Sequence, residues 1–62
     1  MEGFKIGDVV MLKSGGPKMT ISNEGDLGSA GRGALCQWFV EGDIKERVFK
    51  YDSLMKIPKI NI

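Results

Sequence analysis

The segment Ala34-Leu35-Cys36-Gln37-Trp38-Phe39-Val40 constrains the fold more than any other stretch of the chain. Side chains alternate along a strand, so Ala34, Cys36, Trp38 and Val40 share one face and Leu35, Gln37 and Phe39 the other. Both faces are substantially apolar. A strand of that kind lies in the middle of a sheet covered on both sides, or in a barrel that keeps one outer patch exposed. The chain has 62 residues, room for a single domain with one small core. The side chains available for that core are Phe4, Val9, Val10, Leu12, Met19, Ile21, Leu35, Trp38, Phe39, Val40, Phe49, Tyr51, Leu54 and Ile57.

Around this segment, turn residues cut the chain into short alternating runs. Phe4-Lys5-Ile6-Gly7-Asp8 reads as an opening segment that closes in a tight turn. Val9 to Lys13 follows as a strand, with Val10 and Leu12 to one side and Val9 and Met11 to the other. Ser14-Gly15-Gly16-Pro17 is a hairpin connection, since glycine takes positive φ at little cost and proline fixes its own φ. Lys18 to Ser22 returns, with Met19 and Ile21 inward. From Asn23 to Gly33 the composition turns polar and glycine-rich, with Leu27 its one large apolar residue, and a flexible loop is expected.

After Val40, Glu41-Gly42-Asp43 makes a tight turn. Ile44 to Lys50 returns with Ile44, Glu46 and Phe49 out of strict alternation, which predicts a bulge near Arg47 and Val48. Tyr51-Asp52-Ser53-Leu54 reads as one helical turn capped by Asp52. Met55-Lys56-Ile57 makes a last short strand ended by Pro58, and the tail of residues 58–62 alternates in a way suited to edge pairing. The fold expected is mostly β: a small SH3-like open barrel of about five short strands with one helical turn, spanning residues 1–62.

Phe4, Ile6-Gly7-Asp8-Val9-Val10, the run Leu12 to Ile21 (LKSGGPKMTI), Cys36-Gln37-Trp38-Phe39, Phe49 and Leu54 together resemble the YodC-like family of small uncharacterised bacterial proteins. The resemblance spans nearly the whole chain. It implies one compact β domain and brings no activity with it. The 23–33 segment is longer than the family pattern requires, and the Lys-Ile-Asn-Ile tail lies outside it. A second likeness, to KOW-type barrels of transcription and ribosomal proteins, rests on Gly7-Asp8-Val9-Val10 and the following Gly-Gly hairpin.

Chemistry is constrained by what the composition supplies. Histidine, the commonest general base and metal ligand near neutral pH, does not occur. Cys36 is the only cysteine, and between Leu35 and Trp38 it reads as a small hydrophobe, too solitary for a usual zinc site. Asp8, Asp26, Asp43 and Asp52 stand singly at turns. Gly28 to Gly33 has the composition of an anion nest, yet it runs into a strand without the helix and fixed lysine of a phosphate loop. No cofactor, no metal and no enzymatic activity are expected.

What remains is binding. The nine basic and eight acidic residues give no global pull toward a polyanion. The first reading is an interaction module that binds another protein chain, a second copy of itself included, through its second apolar face (Val9, Met11, Leu35, Phe39), edge strands and tail. The alternative is a nucleic-acid module using Lys5, Lys13, Lys18, Arg32 and Tyr51, with Phe39 or Trp38 as a stacking platform. A further alternative is a small inhibitor or ligand-sequestering protein. Binding candidates are Lys13, Gly15, Gly16, Pro17, Lys18, Leu27, Arg32, Phe39 and Tyr51. The two glycines before Pro17 cost chain entropy that a plain turn avoids, which suits close approach to a partner's backbone. The expected setting is the cytoplasm, with no membrane partner: a small secreted domain would usually carry disulfides, and no apolar run is long enough to span a bilayer.

Overall fold

The computed structural model describes residues 3–58. The alternation described above folds into five antiparallel strands: β1 Val9–Leu12, β2 Met19–Asp26, β3 Arg32–Val40, β4 Asp43–Phe49 and β5 Leu54–Lys56. They form one open sheet in the order β4-β3-β2-β1-β5. Single 3-10 turns at Gly28–Ala30 and Tyr51–Ser53 precede β3 and β5. The last strand returns beside the first, with Val10 opposite Lys56 and Leu12 opposite Leu54. This is the small SH3-like open barrel that the sequence predicts, with a second helical turn added.

Opposed residues in antiparallel strands share a face, so the register sorts the side chains. Val10 opposite Met19, Ile21 opposite Cys36, and Leu12 opposite Leu54 turn to the inside. Val10, Met19, Ile21, Ala34, Cys36 and Leu54 are buried, and Phe4, Leu12, Trp38, Phe49 and Tyr51 pack around them. Trp38 leans on Phe49 with ring centroids 6.1 Å apart. The Cys36 thiol belongs to this core, donating to the Ala34 carbonyl at 3.7 Å. Phe39 and Val40, counted above among core side chains, are 71% and 40% exposed. β3 runs past the region where β1 and β2 can cover it, and Phe39 points to the outer face.

Other expectations are corrected. β4 pairs with β3 without interruption from Val40 opposite Asp43 to Ala34 opposite Phe49, so there is no bulge at Arg47 or Val48. The shift lies in β2, where Ile21 opposes Cys36 and Asn23 opposes Leu35. Ser22 is the extra residue, and its hydroxyl donates to the Leu35 carbonyl at 3.2 Å. The predicted loop of residues 23–33 is mostly paired: β2 runs to Asp26, β3 starts at Arg32, and the Gly28–Ala30 turn joins them. Asp52 is not the cap of its turn; Lys50 holds that position without a side-chain cap bond, and Asp52 lies in the first turn. The tail expected to pair at an edge falls, from Lys59 onward, outside the described residues.

Gly33 explains how so glycine-rich a stretch forms a ladder. It is buried opposite Gly25, and a Cβ there would run into the Phe49 carbonyl and its carbon. Only hydrogen lets β3 and β4 close at this point. Gly33→Ala is therefore expected to destabilise the fold by about 1–3 kcal/mol, the usual cost of forcing atoms into a packed site. Urea denaturation of the two proteins checks this, and an unchanged midpoint counts against it.

Candidate functional site

The outer face of β2, β3 and β4 is built from the residues the core leaves over. Thr20 opposes Gln37, Gln37 opposes Glu46, and Phe39 opposes Ile44. A two-residue turn with Glu41 at φ 50° and Gly42 at φ 86° brings the last two together. Positive φ at both central positions matches the right-handed twist of the flanking strands. Phe39 is 71% and Ile44 54% exposed, side by side on adjacent strands. They border a shallow hollow of about 290 Å³ with Lys18, Thr20, Gln37 and Trp38. The hollow offers aromatic and aliphatic surface, one ammonium, one hydroxyl and one side-chain amide. It has no buried ionisable group.

The candidate residues fall into two groups. Lys13, Gly15, Gly16, Pro17 and Lys18 form the connection between β1 and β2, and only Lys18 and Phe39 of all the candidates line the hollow. The connection begins from a fixed base: the Lys13 amide donates to Ser53 and the Gly15 amide to Leu12. Ile44, Thr20 and Gln37 are site residues that sequence reasoning passed over. The signal was present in the turn: reading Glu41-Gly42 as a two-residue loop places Phe39 against Ile44 at once.

Leu27, Arg32 and Tyr51 belong elsewhere. Leu27 is half-buried ahead of the 3-10 turn, its amide donating to the Gly31 carbonyl at 2.8 Å. Arg32 opposes Asp26 across the hairpin. The Tyr51 hydroxyl donates to Glu24 Oε1 at 2.8 Å and accepts the Gly25 amide at 3.0 Å. Its ring stacks on Phe4 at 5.5 Å. Tyr51 is thus a clasp between the second helical turn and β2. The Glu24 carboxylate that accepts its proton holds its pKa above the ordinary tyrosine value, assisted by desolvation.

A second hollow of about 290 Å³ lies between Gly7, Asp8, Val9, Lys56, Ile57 and Pro58. Asp8 accepts the Lys5 amide at 2.9 Å and meets the Lys56 ammonium at 3.5 Å. Those two contacts hold its carboxyl below the usual value, the amide hydrogen bond more than the ammonium. Lys56 also lies 5.9 Å above the Phe4 ring. The polar groups here satisfy one another, so the cluster reads as a latch for the opening segment. Of the cations Lys5, Lys13, Lys18 and Arg32, Lys5 lies ahead of β1, Lys13 and Lys18 in the β1–β2 connection, and Arg32 at the start of β3. Burial pushes the Cys36 thiol up, away from the thiolate form that reacts. Among the described residues no three Cys, Asp or Glu side chains gather as metal ligands would.

Residues 5–54 match the model of the family described as "Uncharacterized small protein (DUF2158)", and the chain belongs to that family. The match agrees with the YodC-like resemblance of the sequence. No curated protein and no solved structure matches the chain significantly.

Because Tyr51 is the only tyrosine, the clasp can be read by ultraviolet titration of the native protein. The midpoint is expected above that of free tyrosine and is expected to fall in Glu24→Ala. Since the folded value is raised, this stabilisation is present below the unfolded tyrosine pKa and is lost as pH climbs through the folded one. A midpoint that ignores the Glu24 substitution contradicts the clasp.

Proposed function

We propose that this family member is a non-enzymatic interaction module that binds another protein chain through the outer face of β2, β3 and β4. The observation that carries the reading is the Phe39–Ile44 pair, two large apolar side chains in register at 71% and 54% exposure. A chain this small needs its apolar side chains inside, because a 62-residue domain buries only about 60% of the surface its unfolded form exposes. Leaving two of them outside, next to each other and above a hollow, spends core material on the surface. Interfaces recognise through such aromatic and aliphatic anchors, rimmed by polar groups. Lys18, Thr20 and Gln37 supply that rim.

Nucleic-acid binding is the second reading, favoured by an exposed Phe39 beside Lys18. It ranks lower because Glu46 stands in the same outer row and Lys18 is the one cation that borders the hollow. Phosphate contacts would make such binding fall steeply with salt. We place the module in the reducing cytoplasm on the strength of its single buried thiol, and among the described residues no helix is long and apolar enough to cross a membrane.

Phe39→Ala is the decisive variant because the side chain contributes little to the core. Its stability is expected within about 0.5 kcal/mol of wild type, whereas truncating a central anchor typically costs 2 kcal/mol or more of binding, about thirtyfold in affinity. Capture from native lysate with both proteins, followed by titration of the enriched partner, measures it. A partner retained equally by the variant overturns the outer-face reading. Salt-sensitive binding of RNA or DNA in place of a protein promotes the second.

A further inference from the structure

We propose that β4 pairs with β4 of a second copy of this chain, antiparallel, across a two-fold axis at Ile44. The inference rests on reading the outer face as a binding surface, and it names what covers the free edge of that face. β4 ends the sheet, with β3 on one side and no strand on the other among the described residues. It is seven residues long, whereas β5 at the opposite edge has three. Residues Asp43 to Arg47 are all exposed. It is the longer of the two edges, although an axis at Ile44 uses only Asp43 to Lys45 of it.

The turn sets which backbone groups are free. Val40 and Asp43 close a two-residue loop and so form a hydrogen-bonded pair. Bonded and non-bonded positions alternate, which leaves Ile44, Glu46 and Val48 with amide and carbonyl directed away from β3. Those groups can accept an added strand. Pairing two identical antiparallel strands by a two-fold axis requires opposed residues to share a face, so the axis passes at a residue and each candidate position can be tried in turn.

An axis at Glu46 sets Glu46 against its own copy and Lys45 against Arg47 twice. An axis at Lys45 sets lysine against lysine and places Ile44 against Glu46 twice, although it also opposes Asp43 and Arg47 twice. An axis at Ile44 sets Asp43 against Lys45 twice and brings Glu41, in the turn, toward Arg47 twice. Directly opposed like charges destabilise a ladder and unlike charges stabilise it. The charges that usually guard an edge therefore disfavour axes at Asp43, Lys45, Glu46 and Arg47. An axis at Val48 opposes no like charges either, but Val48 is already half-buried and that register leaves the exposed Ile44 uncovered. With the axis at Ile44, Ile44 meets Ile44, and Phe39 already lies beside each of them. A row of Phe39, Ile44, Ile44 and Phe39 then crosses the joined outer face, and the two exposed side chains cover each other. The ladder is short, so the dimer is weak and forms toward high micromolar concentration.

The register is tested by charge reversal followed by mixing. Light scattering over a concentration series is expected to show wild-type mass rising from one chain to two. Asp43→Lys places lysine against lysine at both contacts and Lys45→Asp places aspartate against aspartate, so each variant alone is expected to stay a single chain. Mixed in equal amounts, the two become mutually complementary and are expected to form a heterodimer. Both positions are exposed, and circular dichroism verifies that the variants fold. A wild type that stays single at millimolar concentration, variants that still self-associate, or a mixture that does not pair each overturns the proposal. The outer-face reading fails separately, if Phe39→Ala keeps its captured partner.

Discussion

One extra residue in β2 lets so short a chain close a core. β2 must pair with β1 through Met19 and Thr20 and with β3 along its length, so it belongs to both halves of the sheet. A straight strand would keep those halves in one plane, and Val10 and Leu54 would never face Ala34 and Cys36. The bulge at Ser22 bends the strand and increases its twist. It leaves an unpaired position in the ladder, which the Ser22 hydroxyl compensates by donating to the Leu35 carbonyl. The buried cluster of Val10, Met19, Ile21, Ala34, Cys36 and Leu54 draws on both halves of the sheet.

A core of six buried residues leaves its margins to be sealed by side chains that are only half-covered. Phe4 and Tyr51 stack at one margin, and Trp38 and Phe49 meet at another. The first pair joins the opening segment to the second helical turn, distant in sequence, and the second ties the two strands of the β3–β4 hairpin. The Tyr51 hydroxyl anchors the second helical turn to Glu24 and Gly25. Asp8 holds the Lys5 amide at the tight turn, while the Gly7 amide donates to the Ile21 carbonyl and the Ile21 amide to the Asp8 carbonyl. Polar groups at these seams bond to protein partners, and no buried side-chain nitrogen or oxygen among the described residues is left without one.

What the sequence made legible follows from where period-two alternation is undisturbed. Met19 and Ile21 inward, Ala34, Cys36 and Trp38 on one face of β3, and the turn at Glu41-Gly42-Asp43, which the structure narrows to Glu41-Gly42, are readable from side-chain type. The ladder through residues 23–33 was not, because Gly25 and Gly33 carry no side chain to signal a face. Their pairing is a matter of backbone proximity, and composition there imitates a loop. Bulge placement failed for a related reason. Ile44, Glu46 and Phe49 break the expected alternation because Ile44 and Phe49 face opposite sides of a regular strand and both are apolar, whereas Ser22 breaks register with a small polar residue that hides the break. Asp52 looked like a cap because aspartate favours that position, yet a three-residue turn offers few free amides to cap.

The candidate site was half legible for a physical reason as well. Sequence can say that Phe39 belongs to the face opposite Trp38, but exposure depends on what covers that face. The β2 ladder on β3 ends where Thr20 opposes Gln37, so Trp38 to Val40 have no β2 partner. The nine residues of β3 therefore outrun their cover, and Phe39 and Val40 emerge beside the turn. A shorter β3 would have kept the same core with a polar hairpin tip. The added length carries β3 and β4 past the end of the β2 ladder, and the two-residue turn sets Phe39 opposite Ile44 there. A contact surface so placed costs the fold little, since neither side chain is needed inside, and it presents apolar surface and strand edge to the same side of solvent.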